Sequence, residues 1–147
     1  MSDFHNTLPS YLDNAAPDEK QAFFHALICL AYADGNCDED ELAYITEAAK
    51  VRKMENIAEL LQPKTTAELL TELEVIKNKH LAMELIREMC ALAHVDSELS
   101  DSETLLIGKV GLKLGLSLDK IEQISNWVID RIIWQEQAKI IFEENEK

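Results

Sequence analysis

Most of the side chains that could do chemistry lie in two short stretches. The first carries Asp34, Asp38, Glu39, Asp40 and Glu41; the second, 62 residues on, carries Asp96, Glu98, Asp101 and Glu103. Carboxylates crowded into a tight turn suit a hard divalent cation, which takes roughly six to eight oxygens from a compact loop. Asp34, Asn36 and Asp38 have the 1-3-5 spacing of an EF-hand calcium loop, and Asp96, Glu98 and Ser100 repeat it. The rest of that loop is missing. Its sixth residue, normally glycine, is Glu39 or Asp101, and its twelfth, normally a bidentate glutamate, is Ile45 or Ile107. Helix capping explains most of these acids instead: Asp38 with Glu41 and Ser100 with Glu103 have the spacing of capping boxes. Asp34 and Asp96 are harder to place, because they follow a helix end, where negative charge is unfavourable. They either bond turn amides or serve as the first ligands of a cation.

Other groupings are weaker. His25 and Cys29, four apart, share a helix face, but their neighbours are apolar and no third ligand is evident. His80 and His94 lack a Glu-x-x-His context, so a ferritin-like di-iron site is not indicated. No H-E-x-x-H, glycine-rich phosphate loop, G-x-S-x-G or Cys–His nucleophile pair appears. Cys29, Cys37 and Cys90 show no C-x-x-C spacing and read as reduced thiols. The chain reads as a non-enzyme.

The elements that position these turns are helical. Leu30-Ala-Tyr-Ala-Asp-Gly-Asn-Cys-Asp-Glu-Asp-Glu-Leu-Ala-Tyr-Ile45 recurs in form as Leu92 to Ile107, with Leu30/Leu92, Ala31/Ala93, Asp34/Asp96, Glu41/Glu103 and Ile45/Ile107 identical. Each copy is a helix end, an acidic turn and a helix start. Pro17-Asp-Glu opens a first helix whose apolar positions follow a 3.6-residue period up to Asp34-Gly35. The spacing predicts further helices from Glu39 to about Arg52, Glu55 to Leu61, the Thr65/Glu68 cap to about Lys77, His80 to Val95, the Ser100/Glu103 cap to Leu114, and Leu118 to about Glu143. No stretch shows the two-residue alternation of a strand. The expected fold is all-α: about seven helices in one domain, 1–147, with a core of about 17–143. It is a bundle built from two helix–turn–helix units with approximate two-fold symmetry.

The last helix is apolar on more than one side. Trp127, Trp134 and Ile141 make a stripe at seven-residue spacing. Either the helix is central and packs on both units, or the stripe docks a partner protein or a second copy.

Composition bounds the partners. A net charge of −14, with 28 acidic against 14 basic residues, disfavours nucleic acid and anionic membranes. No apolar run approaches the ~20 residues of a membrane span, so no direct membrane insertion is expected. The start lacks a basic region followed by an apolar run, which leaves a cytoplasmic protein as the expectation.

Ala31-Tyr-Ala-Asp-Gly35 followed by Asp38-Glu-Asp-Glu41, and Ala93-His-Val-Asp96 followed by Leu99-Ser-Asp-Ser-Glu103, resemble the tellurite-resistance TerB family. They also resemble the TerB-like domain at the start of DjlA-type membrane co-chaperones. Gly115-Leu-Ser-Leu-Asp119 is similar to the turn before the last helix of that family, and the resemblance runs from about Lys20 to Ile132. It implies a seven-helix bundle of two repeated units in a stress-response adaptor that works beside other Ter components. It also puts a suspected divalent-cation site on Asp34, Asp38, Glu41, Asp96, Ser100 and Glu103. Ser97, where the first unit has Gly35, is a departure that puts the second turn's binding in doubt. The alternative function is a divalent-cation sensor built on the same turns, with no other cofactor implied.

Overall fold

A computed structural model describes residues 10–33, 35, 37, 39–94 and 100–144. Among these residues all regular structure is helical: α1 (Pro17–Ala31), α2 (Glu39–Val51), α3 (Ile57–Leu60), α4 (Thr66–Glu72), α5 (Lys79–Ala93), α6 (Asp101–Lys113) and α7 (Leu118–Glu144). Short 3-10 turns at Leu12–Asn14 and Leu73–Val75 complete it.

Local chemistry sets most of the boundaries. Pro17 opens α1, where a missing N–H costs nothing, and Glu19 accepts the Ala16 N–H at 2.8 Å. Beyond its C-terminus Gly35 takes a φ of +94°, outside the range other residues adopt easily. Thr65 and Glu68 cap α4 reciprocally, and Ser117 accepts the Lys120 N–H at 3.1 Å to start α7. Two helices are shorter than their spacing predicts. Asn56, at φ +55°, cannot continue a helix, so α3 starts at Ile57 and not at Glu55. After Glu72, α4 tightens into a 3-10 turn, and Ile76 beyond it is extended and buried.

The helix pairs α1–α2 and α5–α6 begin and end at the same 62-residue offset. Burial follows that offset: Phe23/Leu85, Phe24/Ile86, Leu27/Met89, Ile28/Cys90, Leu30/Leu92, Ile45/Ile107 and even Glu41/Glu103 are buried at both positions.

The central helix is α1. Every residue from Ala22 to Ala31 is buried, and the helix packs on α2, α4, α5 and α6. That segment contains no Asp, Glu, Lys or Arg, so it is buried on all sides without stranding a charge. The reading of the last helix as a centre packed on both units does not hold: α7 lies against α5 and α6 at the side of the bundle. Its charged residues, from Asp119 to Glu143, are spread around its circumference and keep it there.

Candidate functional site

The six suspected cation ligands divide unevenly. Asp34, Asp38 and Asp96 lie outside the described residues. Glu41 is buried in the first turn of α2. Ser100 and Glu103 bond each other: the Ser100 hydroxyl accepts the Glu103 N–H at 3.1 Å, and the Glu103 carboxylate accepts the Ser100 N–H at 2.9 Å. This is a complete capping box, and it occupies one oxygen from each side chain. Among the described residues no group of three or more His, Cys, Asp or Glu side chains could hold a metal ion.

His25 and Cys29 do not act together. His25, buried on α1, sets Nδ1 2.7 and 2.8 Å from the two oxygens of Glu72, and Lys64 reaches the same carboxylate at 2.9 Å. A buried imidazole needs such a partner, and α4 supplies it. Cys29 donates its thiol to the Lys64 carbonyl at 3.4 Å, and burial raises its pKa. A thiol that holds its proton is a poor nucleophile and a poor ligand. His80 instead stacks on Tyr11, with ring centroids 4.8 Å apart, and both line a groove of about 410 Å³ together with Ile124 and Trp127 of α7.

The third candidate set, Trp127, Trp134 and Ile141, is on the surface. These residues are 42%, 61% and 57% exposed. Ile133, Ile140 and Phe142 join them at 49%, 59% and 70%, and were missed by the reading of the stripe alone. The signal for Ile133 and Ile140 was present, since they too are seven apart, one residue before the stripe. Ile121 and Val128, on the opposite side of α7, are buried against α5 and α6 and hold the helix in place. Arg131 lies over the Trp134 ring, 5.4 Å from its centroid, which steadies an indole that the body does not cover.

Comparison with protein-family models, curated proteins and solved structures finds no match.

The role of the chain is read from its own geometry. What it offers is a surface. A helix held on one side by apolar residues turns a second apolar side outward, where water charges for every exposed ring. No helix among the described residues is long and apolar enough to cross a membrane.

Proposed function

We propose that this chain is a non-enzymatic interaction module of the TerB type, which recruits a protein partner through the outer face of α7. The observation that carries the reading is the pair of opposite faces on one helix, Ile121 and Val128 inward and Ile133, Trp134 and Ile140 outward. Large aromatic side chains left exposed together mark docking sites in soluble proteins. In favour of the family stand the acidic turn written twice and two helix pairs at one offset. A place among stress-response components follows from that resemblance; tellurite names a phenotype and implies no tellurium chemistry here.

The test is affinity capture with the whole chain against Trp134→Ala/Ile140→Ala, each checked for an unchanged helical circular dichroism spectrum. The wild type is expected to retain a reproducible partner that the variant loses. Identical capture by both proteins removes α7 from the proposal.

A further inference from the structure

A surface pocket of about 460 Å³ lies between the C-terminal end of α1, residues 63–66 and one side of α6. We infer that this pocket binds a small phosphate monoester, its phosphate held by Lys64 and Lys109 and its apolar group lying on Pro63 and Leu105. Its described lining residues include none from α7, so it stands apart from the docking face.

The chain supplies its own comparison for this pocket. Ser102, Leu105, Leu106 and Lys109 form the α6 wall. The residues 62 positions earlier, Asp40, Ala43, Tyr44 and Glu47, form the α2 wall of another pocket, of about 800 Å³. The same helical positions thus face a pocket in both helix pairs, but they differ in charge. Where α2 carries two acids, Asp40 and Glu47, α6 carries a hydroxyl and an ammonium, Ser102 and Lys109. None of the described residues lining the α6 pocket is acidic, in a chain with 28 acidic and 14 basic residues. An anion that an acidic surface repels can settle in such a cleft.

The pocket also holds unused donors. Among the described residues Lys109 makes no ion pair. Lys64 gives one bond to Glu72 at 2.9 Å, and an ammonium has three to give. The hydroxyls of Tyr32, Thr66 and Ser102 line the same space and make no hydrogen bond among the described residues. Glu72 and Glu68, whose charges reach Cys29 in this pocket, are already engaged. His25 and Lys64 hold Glu72, and the Thr65 N–H and hydroxyl hold Glu68. Asp101, at the start of α6, is exposed and does not line the pocket.

These groups fit a phosphate monoester better than other anions. Two ammonium groups and three hydroxyls offer more donors than the two oxygens of a carboxylate can use. A phosphate monoester brings three acceptor oxygens and a charge of roughly −1.5 to −2 at neutral pH. Pro63, Leu106 and the 60% exposed Leu105 leave an apolar wall for the rest of the molecule. The volume falls within the roughly 300–1,000 Å³ of small-molecule sites. A polyanion such as nucleic acid would run past the pocket onto a chain of net charge −14, where two lysines could not hold it.

Amide NMR titration of the whole chain with phenyl phosphate, inorganic phosphate and phenol tests this. Phenyl phosphate is expected to give saturable shifts centred on Thr66, Ser102 and Lys109, and to bind at least about tenfold more tightly than either fragment. Lys109→Glu, which matches Glu47 of the α2 wall, is expected to weaken binding at least about tenfold with an unchanged thermal melt. Ser102→Asp, which matches Asp40, is expected to act in the same direction. Lys50→Glu, the same charge change at an exposed position outside the pocket, is expected to leave binding within about twofold of wild type. The inference is overturned if phenyl phosphate gives no saturable shifts at millimolar concentration, or if its binding survives Lys109→Glu. Equal weakening by Lys50→Glu overturns it too, because net charge alone would then be at work. Inorganic phosphate or phenol binding as tightly as phenyl phosphate does the same, since one half of the pocket would then be idle.

Discussion

Gly111 of α6 and Ile121 of α7 are so close that a Cβ on the glycine would occupy the space of the isoleucine side chain. This contact seats the base of α7 on the bundle. Gly111→Ala is expected to destabilise the protein by about 1–3 kcal/mol through overpacking. Gly108, one turn earlier on α6, meets nothing within 4 Å, so Gly108→Ala is expected to stabilise by roughly 0.5–1 kcal/mol. Thermal melts of the two variants against wild type check the opposite signs. Equal effects would mean that α6 and α7 do not meet this closely.

Glu84 anchors the described start of the chain from the middle of α5. Its buried carboxylate accepts the Tyr11 and Leu12 N–H groups at 2.6 and 3.3 Å and the Ser10 hydroxyl at 3.1 Å. Glu84→Ala leaves those amides without their acceptor and is expected to cost about 1–3 kcal/mol. Hydrogen exchange at Tyr11 and Leu12 should speed up far more than exchange in α1. Uniform acceleration across α1 and α5 would show that Glu84 supports the whole core and not this segment.

Cys90 gives the stability a defined alkaline limit. Burial between α5 and its neighbours pushes its thiol pKa from 9.0 to about 11. The folded state therefore holds the proton more tightly than the unfolded chain does. The resulting stability is fully present below about pH 9 and is lost as pH rises towards 11, on the order of 2–3 kcal/mol in all. Urea midpoints measured from pH 8 upward should fall more steeply for the wild type than for Cys90→Ala. Parallel curves would assign the alkaline loss to other groups.

The capping box at the second acidic turn makes a structural prediction from a suspected ligand. Ser100→Ala removes the acceptor for the Glu103 N–H and is expected to cost about 1 kcal/mol. Ser100→Asp restores an acceptor and should recover most of it in a chemical melt. If Ser100→Ala were neutral, the box would not be what starts α6.

Helix positions and their caps were legible because their causes are local. Thr65 with Glu68, Ser100 with Glu103 and Pro17 before an apolar period each act within a turn of the chain, so spacing alone reveals them. Asn78, which caps α5 by accepting the His80 and Leu81 N–H groups, follows the same rule and was legible but missed. The acidic turns were legible as turns. Their carboxylates were ambiguous, because the same residue types serve as caps and as cation ligands, and for Ser100 and Glu103 the bonds are to each other.

By itself, then, the sequence determined an all-helical chain, the two similar helix pairs, and an apolar stripe on the last helix. Only the tertiary structure decided which helix lies at the centre and which at the edge. Both α1 and α7 are rich in apolar residues, and periodicity cannot rank them. What decides is that α1 can be enclosed from Ala22 to Ala31 without burying a charged side chain, provided that α4 brings Glu72 to His25. Those two residues are 47 apart, as Tyr11 and Glu84 are 73 apart. Bonds across such separations leave no period in a sequence. Among the described elements α7 packs chiefly on α5 and α6, and Trp134 and Ile140 face outward.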